Sequence, residues 1–272
     1  MMKRKSVLLS VPYILWMLVF TLIPLGVVAF YAMTDPATGA FSLGNLKELG
    51  LYMPVLGQSI GYSLVSAAIC LLIGYPVAYF IAHQGPVAQK FLYMLVMLPM
   101  CMSFLLRTLA WVGLLQDTGI INNLLAAIGL PRLQLIRTPG AVVLGMVYNY
   151  LPYMILPLYA TIVKIDHRLI EAAEDLGCNG VQTFTKVILP LSVPGMLSGM
   201  TMVFVPAVST FYISQKLGGT DTVLIGDVIE RQFKQGNNAN LGAALSLVLM
   251  ILVFVCTGIM NRFGGDEEGV VV

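Results

Sequence analysis

The residues whose types and spacing could do chemistry sit between two long apolar runs. Glu171-Ala172-Ala173-Glu174-Asp175-Leu176-Gly177 is followed, about a dozen positions later, by Ile188-Leu189-Pro190. Glu171, Glu174 and Asp175 give an acidic helix face. Ala172 and Ala173 are small enough to let another surface come close. Gly177 can end a helix in the left-handed conformation. That is the chemistry of docking, not of bond-making. The rest of the chain holds no believable nucleophile–base–acid set: His83 and His167 are its only histidines, and neither has a plausible catalytic partner in sequence. There is no G-x-x-x-x-G-K-[ST] phosphate loop, no G-x-G-x-x-G and no H-E-x-x-H. If work is done on a solute here, another chain supplies the energy.

The elements that must position this segment are set by composition. Of 272 residues, 58% are hydrophobic and only 10% charged, and the mean hydropathy is +0.88. Soluble domains carry about 25% charged residues, so the chain reads as an all-α, polytopic membrane protein. A net charge of +2 gives no electrostatic footprint for nucleic acid. Cys70, Cys101, Cys178 and Cys256 are far apart, with no metal or redox spacing, and read as packing residues.

A span takes about 20 apolar residues. Six candidates lie at 7–33, 56–82, 91–115, 141–163, 194–214 and 241–260. The first follows Lys3-Arg4-Lys5. It is too long for a signal-peptide core and lacks a small-x-small cleavage site, so it is expected to stay as a span. The basic start places the N-terminus inside. Six spans then return the C-terminus to the same side, and the segment 164–193 between spans four and five faces the cytoplasm. Pro76, Pro99, Pro152, Pro157 and Pro206 fall inside spans, which suits either kinked helices around a pathway or ordinary bundle packing. A short amphipathic stretch at 122–130 is expected to lie in the interface.

None of the six runs contains Asp or Glu. A secondary transporter places carboxylates at membrane depth to bind its coupling ion, so their absence argues against that class. Arg107, near the outer end of run three, is expected to snorkel to the interface, with a role beside a pathway as the other reading. An assembly or scaffold protein is a further alternative, and would need no partner ATPase.

Local chemistry shapes 164–193 into a hairpin. Asp166 can cap a helix over 167–176, Gly177 can end it, and Cys178-Asn179-Gly180 can turn the chain. A second helix is expected over 181–188, stopped by Pro190 ahead of span five.

Glu171-Ala172-Ala173, Gly177 and Ile188-Leu189-Pro190 resemble the coupling loop of ABC-importer permeases. Further matches run along nearly the whole chain: Gly74-Tyr75-Pro76-Val77-Ala78-Tyr79, Arg107-Thr108-Leu109-Ala110-Trp111, the stretch 148–158, Gly218-Gly219, and Leu224-Ile225-Gly226-Asp227-Val228-Ile229 followed by Gln232-Phe233. Together they are similar to the polyamine permeases, in particular the first of the paired spermidine/putrescine permease subunits. The resemblance implies a type I importer permease fold forming one domain over 1–272, in a bacterial cytoplasmic membrane. The implied partners are a second, similar permease, two ATP-binding cassette subunits that hold ATP and Mg, and a solute-binding protein outside. This chain would bind no cofactor of its own. Glu171, Ala172, Ala173, Asp175 and Gly177 would meet the ATPase. Phe211, Tyr212 and Gln215 would line the solute path, where aromatic faces suit ammonium groups; an interfacial aromatic belt is the other reading of the pair. Gln215 stands where related permeases often carry an acid. Importers of other solutes, such as a metal chelate or an anion, are the alternative within this class.

Overall fold

The computed structural model describes residues 11–35, 39–42, 44–220, 222–234 and 238–264. The basic triplet at 3–5 lies outside them. Among the described residues the regular structure is helical, apart from one isolated bridge between Thr34 and Phe41. In chain order the helices are α1 (Val11–Ala32), α2 (Met53–Ala82), α3 (Pro86–Met97), α4 (Phe104–Leu115), α5 (Ile120–Ala127) and α6 (Pro139–Ile162). Then come α7 (His167–Asp175), α8 (Gly180–Val208), α9 (Tyr212–Leu217), α10 (Ile225–Lys234) and α11 (Ala239–Gly264).

Among the described residues six segments are long and apolar enough to cross a membrane: Val11–Ala32, Leu49–Ala82, Phe104–Ala127, Pro139–Ile162, Gly180–Val208 and Ala239–Met260. Four of them agree with the apolar runs to within about two turns at the ends. The third differs. The run expected at 91–115 is broken: α3 ends in a tight turn over Leu98–Cys101, which takes up Pro99, and α4 starts afresh at Phe104. Met102 is extended (φ −88°, ψ 149°), a backbone break inside an apolar sequence. The fifth run also differs at both ends. Pro190 does not stop a helix; α8 passes straight through it. The turn Phe184–Ile188 is a π-turn, in which the Leu189 N–H reaches back five residues to the Phe184 carbonyl. The wider register comes just before Pro190, which has no N–H to give. At the other end α8 stops at Val208, and Ser209-Thr210-Phe211 separates it from α9.

The described residues form two compact units, divided between 54 and 55, 227 and 228, and 252 and 253. In the smaller, the Thr34 carbonyl ends α1 and accepts from Asn45 Nδ2 (2.9 Å) and Asn240 Nδ2 (2.6 Å). Ala32, Ala243 and Ala244 are fully buried below it. The larger is built around α6, whose Met146, Met154 and Leu158 are fully buried. α8 lies along α6 through Gly195 and Gly199. A β-carbon at Gly195 would stand 2.8 Å from Thr161 Cβ and 3.0 Å from the Pro157 carbonyl; one at Gly199 would stand 2.7 Å from Met154 Sδ. Gly-x-x-x-Gly is the small-residue spacing that lets membrane helices touch backbone to backbone.

Candidate coupling hairpin and solute path

The hairpin forms from local chemistry. Asp166 Oδ1 accepts from the Arg168 N–H at 3.0 Å and caps α7. At the far end Gly177 has φ +84°. Its N–H donates to the Glu174 carbonyl (2.8 Å), and the Cys178 N–H donates to the Ala173 carbonyl (3.0 Å). That pair of bonds is a Schellman cap, which needs a left-handed residue at the glycine position. Asn179 then opens α8 with a reciprocal box: its Oδ1 accepts from the Gln182 N–H at 2.9 Å, while Gln182 Oε1 accepts from the Asn179 N–H at 3.0 Å. Both ends of α7 and the start of α8 are thus capped by residues of the hairpin itself.

α7 has two unlike faces. Ala173 is buried and Ile170 half-buried, both turned toward the chain's own body. Ala172 is exposed between Leu169 and Leu176, and Leu176 is 86% exposed. Val181, across the turn, is 73% exposed. Glu171, Glu174, Asp175 and Gly177 are exposed beside this stripe. The two adjacent alanines therefore split: Ala172 lies on the outward face and Ala173 packs inward. Sequence reasoning saw the acids and missed the apolar stripe at i, i+3, i+7 that runs among them.

The residues expected to line a solute path sit at a helix break. Phe211 precedes α9 and Tyr212 is its first residue. Phe104, the first residue of α4, also follows a break, and its ring lies 6.2 Å from that of Tyr212. Two interrupted membrane helices thus start again with aromatic rings in contact. Phe211 and Gln215 are exposed one turn apart, with the Gln215 N–H on the Phe211 carbonyl. Lys216 places its ammonium 5.7 Å from the Tyr212 ring centroid, within cation–π range.

Arg107 does not snorkel out to an exposed position. It is 7% exposed, and its Nε and Nη1 are buried without a hydrogen-bond partner. The broken third run is the reason: Arg107 sits in the first turn of a fresh helix packed against α6 and α9, not at the end of a long one. It lies within electrostatic range of Tyr150 on α6. Asp227 is a second buried charge that sequence reasoning passed over. Its Oδ2 accepts from the Leu224 N–H at 2.8 Å and caps α10 from inside, while the next orphan donor, the Ile225 N–H, goes to Ser59 Oγ at 2.8 Å. An acid three residues after a helix start was the available signal. His83 and His167, far apart in sequence, line one cavity of about 380 Å³ between α7 and the ends of α2 and α6.

The fold is that of ABC-importer permeases. A chain of a bacterial alginate ABC transporter, solved with an alginate-bound periplasmic protein, matches with TM-score 0.77 at 20% identity, over 99% of this chain and 98% of that one. A chain of the MetNI methionine ABC transporter matches with TM-score 0.62 at 17% identity, over 80% of this chain and 96% of that one. The chain belongs to the family of binding-protein-dependent transport system inner membrane components, whose model matches residues 74–264. It is a multi-pass membrane permease. Among its relatives is the spermidine/putrescine transport system permease protein PotB of Haemophilus influenzae, 38% identical over 88% of this chain and 86% of that protein. PotB of Escherichia coli is 37% identical over 78% of this chain and 79% of its own length. The inner membrane ABC transporter permease protein YdcU of Escherichia coli is 29% identical over 91% and 84%.

Proposed function

We propose that this chain is one of two paired permease subunits of an ATP-driven importer of polyamines of the spermidine and putrescine type. Two ATPase subunits bind and hydrolyse ATP with Mg, and a solute-binding protein delivers the polyamine from outside. The observation that carries the coupling role is the outward stripe of Leu169, Ala172 and Leu176 among the acids of α7. Exposed apolar side chains in a contiguous row mark a surface that another protein covers. The hairpin lies on the cytoplasmic side, where ATP is. Reporter fusions after Asp117 and after Asn238 should therefore report outside, and one after Asn179 inside. An outside signal at Asn179 removes the hairpin from ATP and ends this reading.

The solute assignment follows the PotB relatives and has support in the path itself. A lysine side chain is a 4-aminobutyl group, the same group that ends putrescine and spermidine. Lys216 places its ammonium 5.7 Å from the Tyr212 ring centroid, which supports the reading of that face as one that takes an aminobutyl cation. An entering polyamine takes the tethered group's place. Losing the ring should cost uptake about 2- to 30-fold, from a cation–π contact of roughly 0.5–2 kcal/mol. Tyr212→Ala should show that loss and Tyr212→Phe much less, measured as uptake of labelled polyamine by complexes matched for assembly. Equal uptake by wild type and the Phe211→Ala, Tyr212→Ala double variant would reduce the pair to membrane anchors.

A further inference from the structure

The motif Gly74-Tyr75-Pro76-Val77-Ala78-Tyr79 has no part in docking or in the solute path, yet it meets the hairpin directly. Tyr75 and Tyr79 are one turn apart on α2. Phe184, the first residue of the π-turn in α8, packs against both. Its ring centroid is 5.7 Å from that of Tyr75 at 90° and 5.6 Å from that of Tyr79 at 86°. Both are edge-to-face contacts, a preferred geometry for aromatic pairs. The clamp is anchored at both ends. The Tyr75 hydroxyl meets Ser192 Oγ at 2.9 Å, and Ser192 Oγ donates to the Leu189 carbonyl at 2.8 Å, so α2 is also bound to α8 two turns further on. The Tyr79 ring stacks on His83 at 4.1 Å.

We propose that Phe184 is the point where movement of the coupling hairpin enters the membrane helices, with the Tyr75–Tyr79 pair as its receiver. This rests on the hairpin being the ATPase-docking element. Displacement passes through close-packed matter and is lost in a void. On the α7 side a half-open pocket of about 380 Å³ lined by His83, His167 and Ile170 lies behind part of the hairpin, and Ala173 is the buried residue of α7 beside it, so α7 gives the spans only a narrow contact. On the α8 side the helix runs on into span five, but through a π-turn and Pro190, which lacks the bond that would stiffen it. A hairpin tied only by these would flex at residues 184–190. The Phe184 ring bridges that soft place and makes α2 move with α8. Phe184 is a positioning residue; it touches neither solute nor ATPase.

The test uses the complete importer in liposomes, with partner permease, ATPase and binding protein, and reads three quantities: ATPase retained, ATP hydrolysed and polyamine taken up. Phe184→Ala should keep the ATPase bound and hydrolysing while uptake per ATP falls by about tenfold, within the usual span of a coupling between sites. Phe184→Tyr, which keeps the ring, should restore most of the ratio. The receiving side gives an independent reading if Phe184→Ala does not insert: Tyr79→Leu should uncouple and Tyr79→Phe should not. An unchanged ratio in both Phe184→Ala and Tyr79→Leu overturns the proposal, and so does loss of the ATPase together with uptake, which would make Phe184 part of the docking surface. Failure of the docking reading looks different: Glu171→Lys would then leave ATPase retention and uptake intact, whatever Phe184→Ala does to the ratio.

Discussion

Gly177→Asp and Glu171→Lys should each bring uptake down to background in a protein that still inserts and folds. The two act differently. Gly177 has φ +84° and nothing within 4 Å of where its β-carbon would stand, so a side chain meets no neighbour; it strains the cap instead, by about 1–2 kcal/mol for a left-handed residue. That is too little to unfold the bundle, because α7 draws nothing from the cap that the six spans need. It is enough to misdirect the last turn of α7, where Leu176 projects, and the aspartate adds a charge beside that stripe. Glu171→Lys leaves the backbone alone and reverses a charge on the outward face. It also places a cation one turn from His167, whose Nδ1 now stands 3.7 Å from Glu171 Oε1. The measurement is uptake in reconstituted complexes, with membrane-inserted protein and bound ATPase quantified in the same samples. In both variants the ATPase should detach or hydrolyse without transport. Normal transport by both would make the hairpin a connector.

The second large effect concerns the seam between α6 and α8. Gly195→Leu should lower the yield of folded protein severely, because the obstacles are stiff. Its β-carbon would lie 2.8 Å from Thr161 Cβ and 3.0 Å from the Pro157 carbonyl. Threonine has restricted χ1 and a carbonyl in a helix cannot step aside, so the two helices must part. Overpacking of this kind costs about 1–3 kcal/mol and at times more, and it removes the close contact on which membrane helices depend. Gly199→Ala makes the useful contrast. Its first obstacle is Met154 Sδ at 2.7 Å, on an unbranched chain that can turn, so the loss should be smaller. The check is the monodisperse fraction after solubilisation together with the thermal midpoint of each variant. Wild-type values for Gly195→Leu would mean that this seam does not hold the bundle.

What could be read from the sequence divides by range. The spans were legible because hydropathy integrates over twenty residues, and the hairpin because Asp166, Gly177 and Asn179 act on neighbours two or three positions away. The breaks were not legible. Met102 and Ser103 interrupt α4's run without changing its hydropathy, and Ser209-Thr210-Phe211 does the same after α8. Those two breaks relocate Arg107 from a membrane edge to a buried site, and place Tyr212 at a helix start instead of inside a span. Pro190 misled for a related reason: a proline's missing N–H can be absorbed by a wider turn upstream, which no local rule announces. Long-range contacts such as Phe184 with Tyr75 and Tyr79, or Ser59 with the Ile225 N–H, join residues more than a hundred positions apart and leave no trace in spacing. The Gly195-x-x-x-Gly199 pair was a signal in plain view.

The unbroken course of α8 from the hairpin turn to Val208 fixes its length as firmly as its composition. Loops absorb inserted or deleted residues, because their ends can be rejoined by another path. A helix cannot. One residue added between 180 and 183, ahead of the π-turn that already takes up extra length, would rotate everything beyond it by about 100°, at 3.6 residues per turn. Gly195 and Gly199 would then swing off α6, or, with that seam held, Asn179 and the whole of α7 would swing around the helix axis and present a different side to the ATPase. The segment that looks in sequence like a connecting loop is thus a gauge of set length, and lengthening it is opposed by the same geometry that aligns the two ends.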